Sequence, residues 1–466
     1  MQHAERIPDA RVQIADNGAV RFLDGNYGPV SEELTVTDLK VEGEIPKALN
    51  GRLFRNGPNP GAAIEGHYHW FMGDGMVHGV EFREGRVNWY RNRFIRTRWL
   101  AGHSDYAAAP SPQFEQPWQV LMNPGNTSIV AHAGKVLALC ETGLPHELSQ
   151  ELDTICEYDF GGRLRRPMTA HPRIDPHTGE MFMLGASMIR PWLSYSVVGA
   201  DGELQRTEII DVGGPTVIHD MMLAGDYVLF IDAPVLFDPT MLDSLNNYPA
   251  RWFDGYPTRL GVLPRNGGNR DVRWFDIEPC FVFHFFNGVQ DGTRISLDGA
   301  RYRPPYPIET LAANTELYRW TVDLATGKVS EGALDDRSVE YPRVDPRRLG
   351  RSYRYGYATR TYTGDPLDPQ SGFSPGLIKH DLVTGEAQTW DVGPGRTATE
   401  AVFVPNPEGT DEDDGWILDM VYDATRDGSD LVILDARDLS AEPLATVRMP
   451  QRVPFGFHGA FIADPR

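Results

Sequence analysis

Cysteine is scarce in this sequence. Only Cys140, Cys156 and Cys280 occur among 466 residues, none in a C-x-x-C pair. Neither a disulfide framework nor a thiolate metal site is expected, and a reducing compartment is. No run approaches the roughly 18 apolar residues of a bilayer-spanning helix. The opening segment "MQHAERIPDARVQIAD" lacks the apolar centre of a secretory signal. Positive charge is in deficit: Lys and Arg number 44 against 65 Asp and Glu, a formal net charge of −21. That balance argues against a nucleic-acid surface and against electrostatic attraction to anionic lipid. The expectation is a cytoplasmic protein that binds no nucleic acid and implies no obligate protein partner, with peripheral membrane contact left open. Linkers and low-complexity tracts are also missing. The one dense acidic run, "NPEGTDEDDGW" from Asn406, reads as a solvated loop.

Turn residues are plentiful, with 47 Gly and 36 Pro. Between them lie short apolar runs such as "KVLALCETG", "GDYVLFIDAP", "DGWILDMVYD" and "DLVILDARD", each the length and composition of a strand. "DPHTGE" at Asp175, "DLATGK" at Asp323 and "DLVTGE" at Asp381 share the form D-x-x-T-G-E/K. An Asp cap with Gly at positive φ makes each a hairpin, with looser versions near Gly85 and Gly202. A hairpin recurring through a strand-rich chain predicts an all-β fold, a β-propeller. At roughly 60 to 70 residues per blade, longer than the usual repeat, residues 1–466 make about seven blades in a single domain. Insertions are then expected as a cap over one face. Residues 233–260 are apolar and Pro-interrupted and read as loop with short helix; they pack over a blade, roof an apolar cavity or touch lipid.

The thirteen histidines divide into groups. His3, His103, His132, His146, His177 and His380 sit in polar, turn-like contexts and are expected at the surface. His171 in "MTAHPRIDP", His219 in "TVIHDMMLAG", His284 in "FVFHFFNG" and His458 in "FGFHGAF" adjoin apolar strand-like runs. They lie 48, 65 and 174 residues apart in turn, close to one, one and three blades. Matching places in successive blades point at a propeller axis. Four buried imidazoles there are costly unless hydrogen-bonded or shared by a metal ion. His67, His69 and His78 compete as ligands.

"NGRLFRNGPNP" (from Asn50), "HWFMGDGMVHGVEF" (from His69) and the four histidine motifs, in this order, resemble the carotenoid cleavage oxygenase family. The resemblance spans essentially the whole chain. It implies a seven-bladed propeller holding one Fe(2+) on the axis, with O2 as cosubstrate and an apolar alkene cleaved to two carbonyl products. By motif match, the iron ligands are His171, His219, His284 and His458. Glu141, Glu340 and Glu400 match the carboxylates that orient three of these imidazoles. Thr127 matches a threonine controlling access to the open coordination position. Phe283, Phe285, Phe455 and Phe457 are expected along the substrate tunnel, although they suit a core equally well.

Within that family, stilbene-cleaving members place a lysine immediately before the first glutamate. Here that position is Cys140, which offers a phenolate no cation. The resemblance therefore favours a carotenoid or apocarotenoid over a stilbene or phenylpropene. Two further readings stay open: an isomerohydrolase acting on a retinoid ester, and a propeller that only binds ligands.

Overall fold

The computed structural model describes residues 22–62, 64, 68–112, 123–141, 143–238, 240, 249–303, 315–361 and 374–464. Among them, the strands form seven sheets arranged as propeller blades and one separate two-stranded hairpin. Helix is limited to Arg98–Ala101 and a few 3-10 turns. No helix among the described residues is long and apolar enough to cross a membrane.

Blade one contains Gly51–Pro58, Gly75–Arg83 and Arg86–Phe94; blade two starts at Ser128–His132, blade three at Arg173–Ile174 and blade four at Met222–Ala224. Blade five starts at Phe281–Asp291 and blade six at Val339–Arg343, while blade seven has Val402–Pro405 innermost against Gly415–Asp423. Ring closure uses segments from both ends of the chain. Gly459–Ala463 pairs with Gly51–Pro58 as the innermost strand of blade one, and Val41–Gly43 pairs with Ala445–Arg448 at the outer edge of blade seven.

Strand alternation explains how the blades stack. In blade three, Met181 and Met183 point into the core shared with blade two, whereas Phe182 and Leu184 point into the core shared with blade four. With both faces covered, middle strands such as Leu193–Val198 are buried throughout, Ser194 and Ser196 included. The outer strand Leu204–Ile210 has a solvated face and alternates. Every neighbouring pair of blades shares such a core, including blades seven and one, where Leu418 and Leu431 meet Leu53 and Val80.

The D-x-x-T-G segments are hairpins, as expected. Asp175, Asp323 and Asp381 each accept two backbone N–H groups through Oδ1, and Gly179, Gly327 and Gly385 have φ of 72°, 73° and 77°. They do not mark one place per blade. The first joins the inner two strands of blade three, and the others join the outer two strands of blades five and six. The motif reports hairpin geometry rather than blade period.

Connections 59–74, 140–145, 187–192, 233–258, 303–314 and 361–375 all leave from one face, the face at which the inner strands begin. Within 233–260, the described ends are not loop: Val235–Phe237 pairs with Ala250–Trp252, and Arg259–Pro264 is a strand of blade four. Residues 239 and 241–248 lie outside the described set.

Candidate metal centre

Every blade sends one residue toward the axis: His458 from blade one, Glu141 from two, His171 from three, His219 from four, His284 from five, Glu340 from six and Glu400 from seven. His458 immediately precedes an inner strand and His171 and His219 stand shortly before theirs, so they sit on the face that carries the long connections. His284 and Glu340 lie inside strands, at register shifts that re-aim their side chains.

One ligating nitrogen from each of the four histidines lies within 4.8 Å of the others. Nε2 of His219 is 2.9 Å from Nε2 of His171 and 3.2 Å from Nε2 of His284. A metal–nitrogen bond of about 2.1 Å sets two adjacent octahedral ligands about 3.0 Å apart, so this spacing fits an ion. The outer nitrogens are already committed. His284 Nδ1 is 2.6 Å from Glu340 Oε2, His458 Nδ1 is 2.8 Å from Glu400 Oε1, and His219 Nδ1 abuts Glu141. A carboxylate only accepts, so these Nδ1 atoms carry the proton and the Nε2 lone pairs face inward. Lone pairs converging at 3 Å are mutually repulsive until a cation joins them.

The carboxylates differ in their support. Glu340 also accepts the Tyr302 hydroxyl at 2.9 Å, and Glu400 is flanked by Arg343 and the buried Arg55. Burial works against the Glu400 charge, yet Arg343, His458 and Arg55 together hold its carboxyl far below the usual range. Burial, reinforced by its imidazole neighbours, pushes His171 well below its ordinary value. Burial takes His458 down to about 3 against the pull of Glu400. At His219 burial also opposes the charge, but Glu141 outweighs it and the shift is upward. His171 and His458 are thus held neutral, the form a ligand needs.

Thr127 stands just before the inner strand of blade two. Its carbonyl accepts the His458 N–H at 3.2 Å and its hydroxyl donates to Asn126. Phe283 meets His219 edge-on, with centroids 5.1 Å apart. Phe455 and Phe457 pack on Trp70 at 5.3 and 4.5 Å. Phe285 lies away from this group, in the core between blades four and five, with its N–H donated to Asp220.

His69 and His78 are not brought to the cluster. Nδ1 of His69 accepts the Phe71 N–H, and Nδ1 of His78 is 2.9 Å from the Tyr90 hydroxyl. His67 and His3 lie outside the described residues. Of the histidines expected at the surface, His132, His146 and His380 are buried. Their polar flanks are turns of the chain, but neighbouring blades cover them. His132 Nε2 meets the Gly179 carbonyl of blade three, and His380 lies against Asp335 of blade five.

Sequence reasoning assigned no role to Arg55, Tyr302, Tyr341 or Arg343. Arg55 was signalled by the "LFRNGPNP" run and Tyr341 by its place directly after Glu340. Tyr341 has φ of 51° and stacks on His284, with centroids 5.5 Å apart and planes at 26°. Burial raises its phenol above the ordinary value, so it stays protonated.

The model of the family described as retinal pigment epithelial membrane protein matches residues 27–463. A carotenoid cleavage oxygenase of Mycobacterium tuberculosis (strain ATCC 25618 / H37Rv) is 39% identical over 489 residues, covering 94% of this chain and 96% of its own length. The carotenoid 9,10(9',10')-cleavage dioxygenase 1 of Pisum sativum is 33% identical, covering 95% and 90%. Among solved structures, cobalt-substituted Synechocystis ACO superposes with TM-score 0.80 at 30% identity, covering 95% and 98% of the two chains. The lignostilbene dioxygenase of Pseudomonas brassicacearum superposes with TM-score 0.84 at 28% identity, covering 97% and 100%.

Proposed function

The chain belongs to the carotenoid cleavage oxygenase family, which includes double-bond-cleaving dioxygenases, and we propose that it cleaves an alkene of a carotenoid or apocarotenoid with O2. The observation that carries this reading is the ring of four imidazoles backed by three carboxylates. His171, His219, His284 and His458 would hold one Fe(2+), and bound there it supplies the redox chemistry that lets triplet O2 react with a closed-shell alkene.

The chain's own residues do the rest. Glu141, Glu340 and Glu400 fix the ring tautomers and offset the charge of a dication. Four neutral imidazoles would leave a metal ion held there with open positions for both reactants. Phe455, Phe457 and Trp70 form an apolar wall beside His458, where a polyene gains roughly 25 cal/mol per Å² buried. Thr127, tied by its backbone to His458, would limit water there. The balanced reaction inserts one oxygen atom at each alkene carbon and releases two carbonyl fragments, with no external reductant.

The similarity to a lignostilbene dioxygenase supports a second reading, cleavage of a stilbene or phenylpropene. Cys140, buried beside Glu141, offers no cation to a phenolate and weighs against it. Loading the protein anaerobically with Fe(2+) and admitting labelled O2 with carotenoids, apocarotenals and hydroxystilbenes tests both. Label in both aldehyde products of a polyene supports the proposal. Cleavage of hydroxystilbenes alone selects the second reading. Conversion of a retinoid ester without O2 uptake would overturn both.

A further inference from the structure

We propose that Tyr341 is a specificity-determining residue: its phenol O–H takes hold of an oxygen substituent near the double bond being cut, so oxygenated alkenes are preferred to hydrocarbon ones. This rests on the alkene-cleavage reading above.

The first observation is position. Tyr341 joins the imidazole cluster to the apolar wall. Its ring stacks on His284 and lies 5.4 Å from His458 and 6.5 Å from Phe455. Tyr341 is only half-buried, as are Phe71, Thr127, His171 and His219 around the same axis. Side chains at the middle of a closed ring keep accessible area only where an internal space adjoins them.

The second observation is backbone strain. A φ of 51° costs a tyrosine about 1–3 kcal/mol. The Tyr341 N–H is pinned to Glu340 Oε2 at 2.5 Å, and Glu340 in turn holds His284. The arrangement that orients the metal ligand thus also fixes the phenol.

The third observation concerns the hydroxyl. Among the described residues, the phenol of Tyr90 is satisfied by Gln451, Tyr195 by the Arg265 carbonyl, Tyr302 by Glu340 and Tyr353 by Asp298. The Tyr341 hydroxyl makes no hydrogen bond among the described residues. An interior phenol ordinarily finds a partner. Phenylalanine would stack on His284 equally well, so the oxygen atom is unexplained by packing. Its partner arrives with the substrate. The chemistry that fits is an acceptor oxygen on an otherwise apolar alkene, carried by either the carbonyl of an apocarotenal or the hydroxyl of a phenolic alkene.

The test is an anaerobic binding titration of the iron-loaded protein and of Tyr341→Phe. The probes are an apocarotenal with its matching hydrocarbon polyene, and a hydroxystilbene with stilbene. The expected result is that one oxygenated probe binds the native protein at least tenfold more tightly than its hydrocarbon match. In Tyr341→Phe that probe's Kd rises about tenfold while the hydrocarbon's stays within twofold, at unchanged iron content and melting temperature. The affected pair identifies which source supplies the oxygen. Equal losses for both members of a pair would assign Tyr341 to packing, and no loss would place its hydroxyl off the substrate path; either overturns the proposal. Turnover separates the two readings. A preference abolished by Tyr341→Phe without cleavage of any probe removes the dioxygenase reading and keeps the binding role, whereas cleavage indifferent to the variant does the reverse.

Discussion

Glu400 grips His458 at two points, with Oε1 2.8 Å from the ring Nδ1 and Oε2 accepting the backbone N–H that follows the histidine, at 2.5 Å. Ring orientation and strand position are therefore set by one carboxylate. Glu400→Gln keeps the shape and loses the charge, and metal affinity should fall about 10- to 100-fold in a chelator competition. Glu400→Ala should do more. It leaves Arg55 and Arg343 without their counter-charge, and about 3 kcal/mol or more of folding stability should go with it in denaturant unfolding.

His284→Ala should abolish iron binding while leaving the far-ultraviolet circular dichroism of the native protein. His78→Ala, which removes an equally buried imidazole, should keep a full equivalent of iron because that ring is bonded to Tyr90. Elemental analysis after anaerobic loading checks both. A full equivalent in His284→Ala would remove it from the ligand set.

Gly456 lets two backbones meet beside the axis. A Cβ there would lie 2.6 Å from the Asn56 carbonyl oxygen, and one on Gly57 would lie 2.5 Å from the Gly456 Cα. Gly456→Ala must push the segment carrying His458 away from blade one. The expected outcome is at least a tenfold loss of metal affinity with a lowered melting temperature, read on the same chelator titration and by calorimetry.

Asp419 is buried in blade seven and accepts the Thr399 N–H and hydroxyl through one oxygen, at 2.9 and 2.7 Å. Burial raises its carboxyl from 3.8 to about 6, against the pull of those two bonds. The folded state therefore holds the proton more tightly than the unfolded chain, and this site loses stability as pH rises from about 4 to 6, by up to about 3 kcal/mol. Asp419→Asn keeps the accepting oxygen and cannot ionise. Its stability advantage over the native protein should grow by about 2 kcal/mol between pH 4.5 and pH 7.5, by urea midpoints. A constant difference across that range would show that Asp419 does not titrate there.

Much of this site was legible because its histidines lie in or beside apolar runs. His171, His219, His284 and His458 stood out as polar residues where a propeller needs inward-facing ones, and their spacing matched whole blades. The carboxylates were legible only through resemblance, since Glu141, Glu340 and Glu400 look singly like any other acid. Burial of His132, His146 and His380 was hidden because polar neighbours in sequence say nothing about the adjacent blade that covers them. Tyr341 was hidden for a related reason: its backbone conformation is imposed by a register shift in blade six, which no local pattern announces. The D-x-x-T-G repeat suggested the correct architecture on partly mistaken grounds, because one copy joins the inner strands of its blade and the other two join outer strands.

The strand after His458 is held to the first blade by contacts as distant as Arg52 with Asp464, 412 residues apart in sequence. The strands of the other six blades all precede it in sequence. The four-imidazole cluster is therefore the last feature of the fold to be completed along the chain. A chain that stops short of residue 458 lacks the fourth imidazole and cannot complete the cluster.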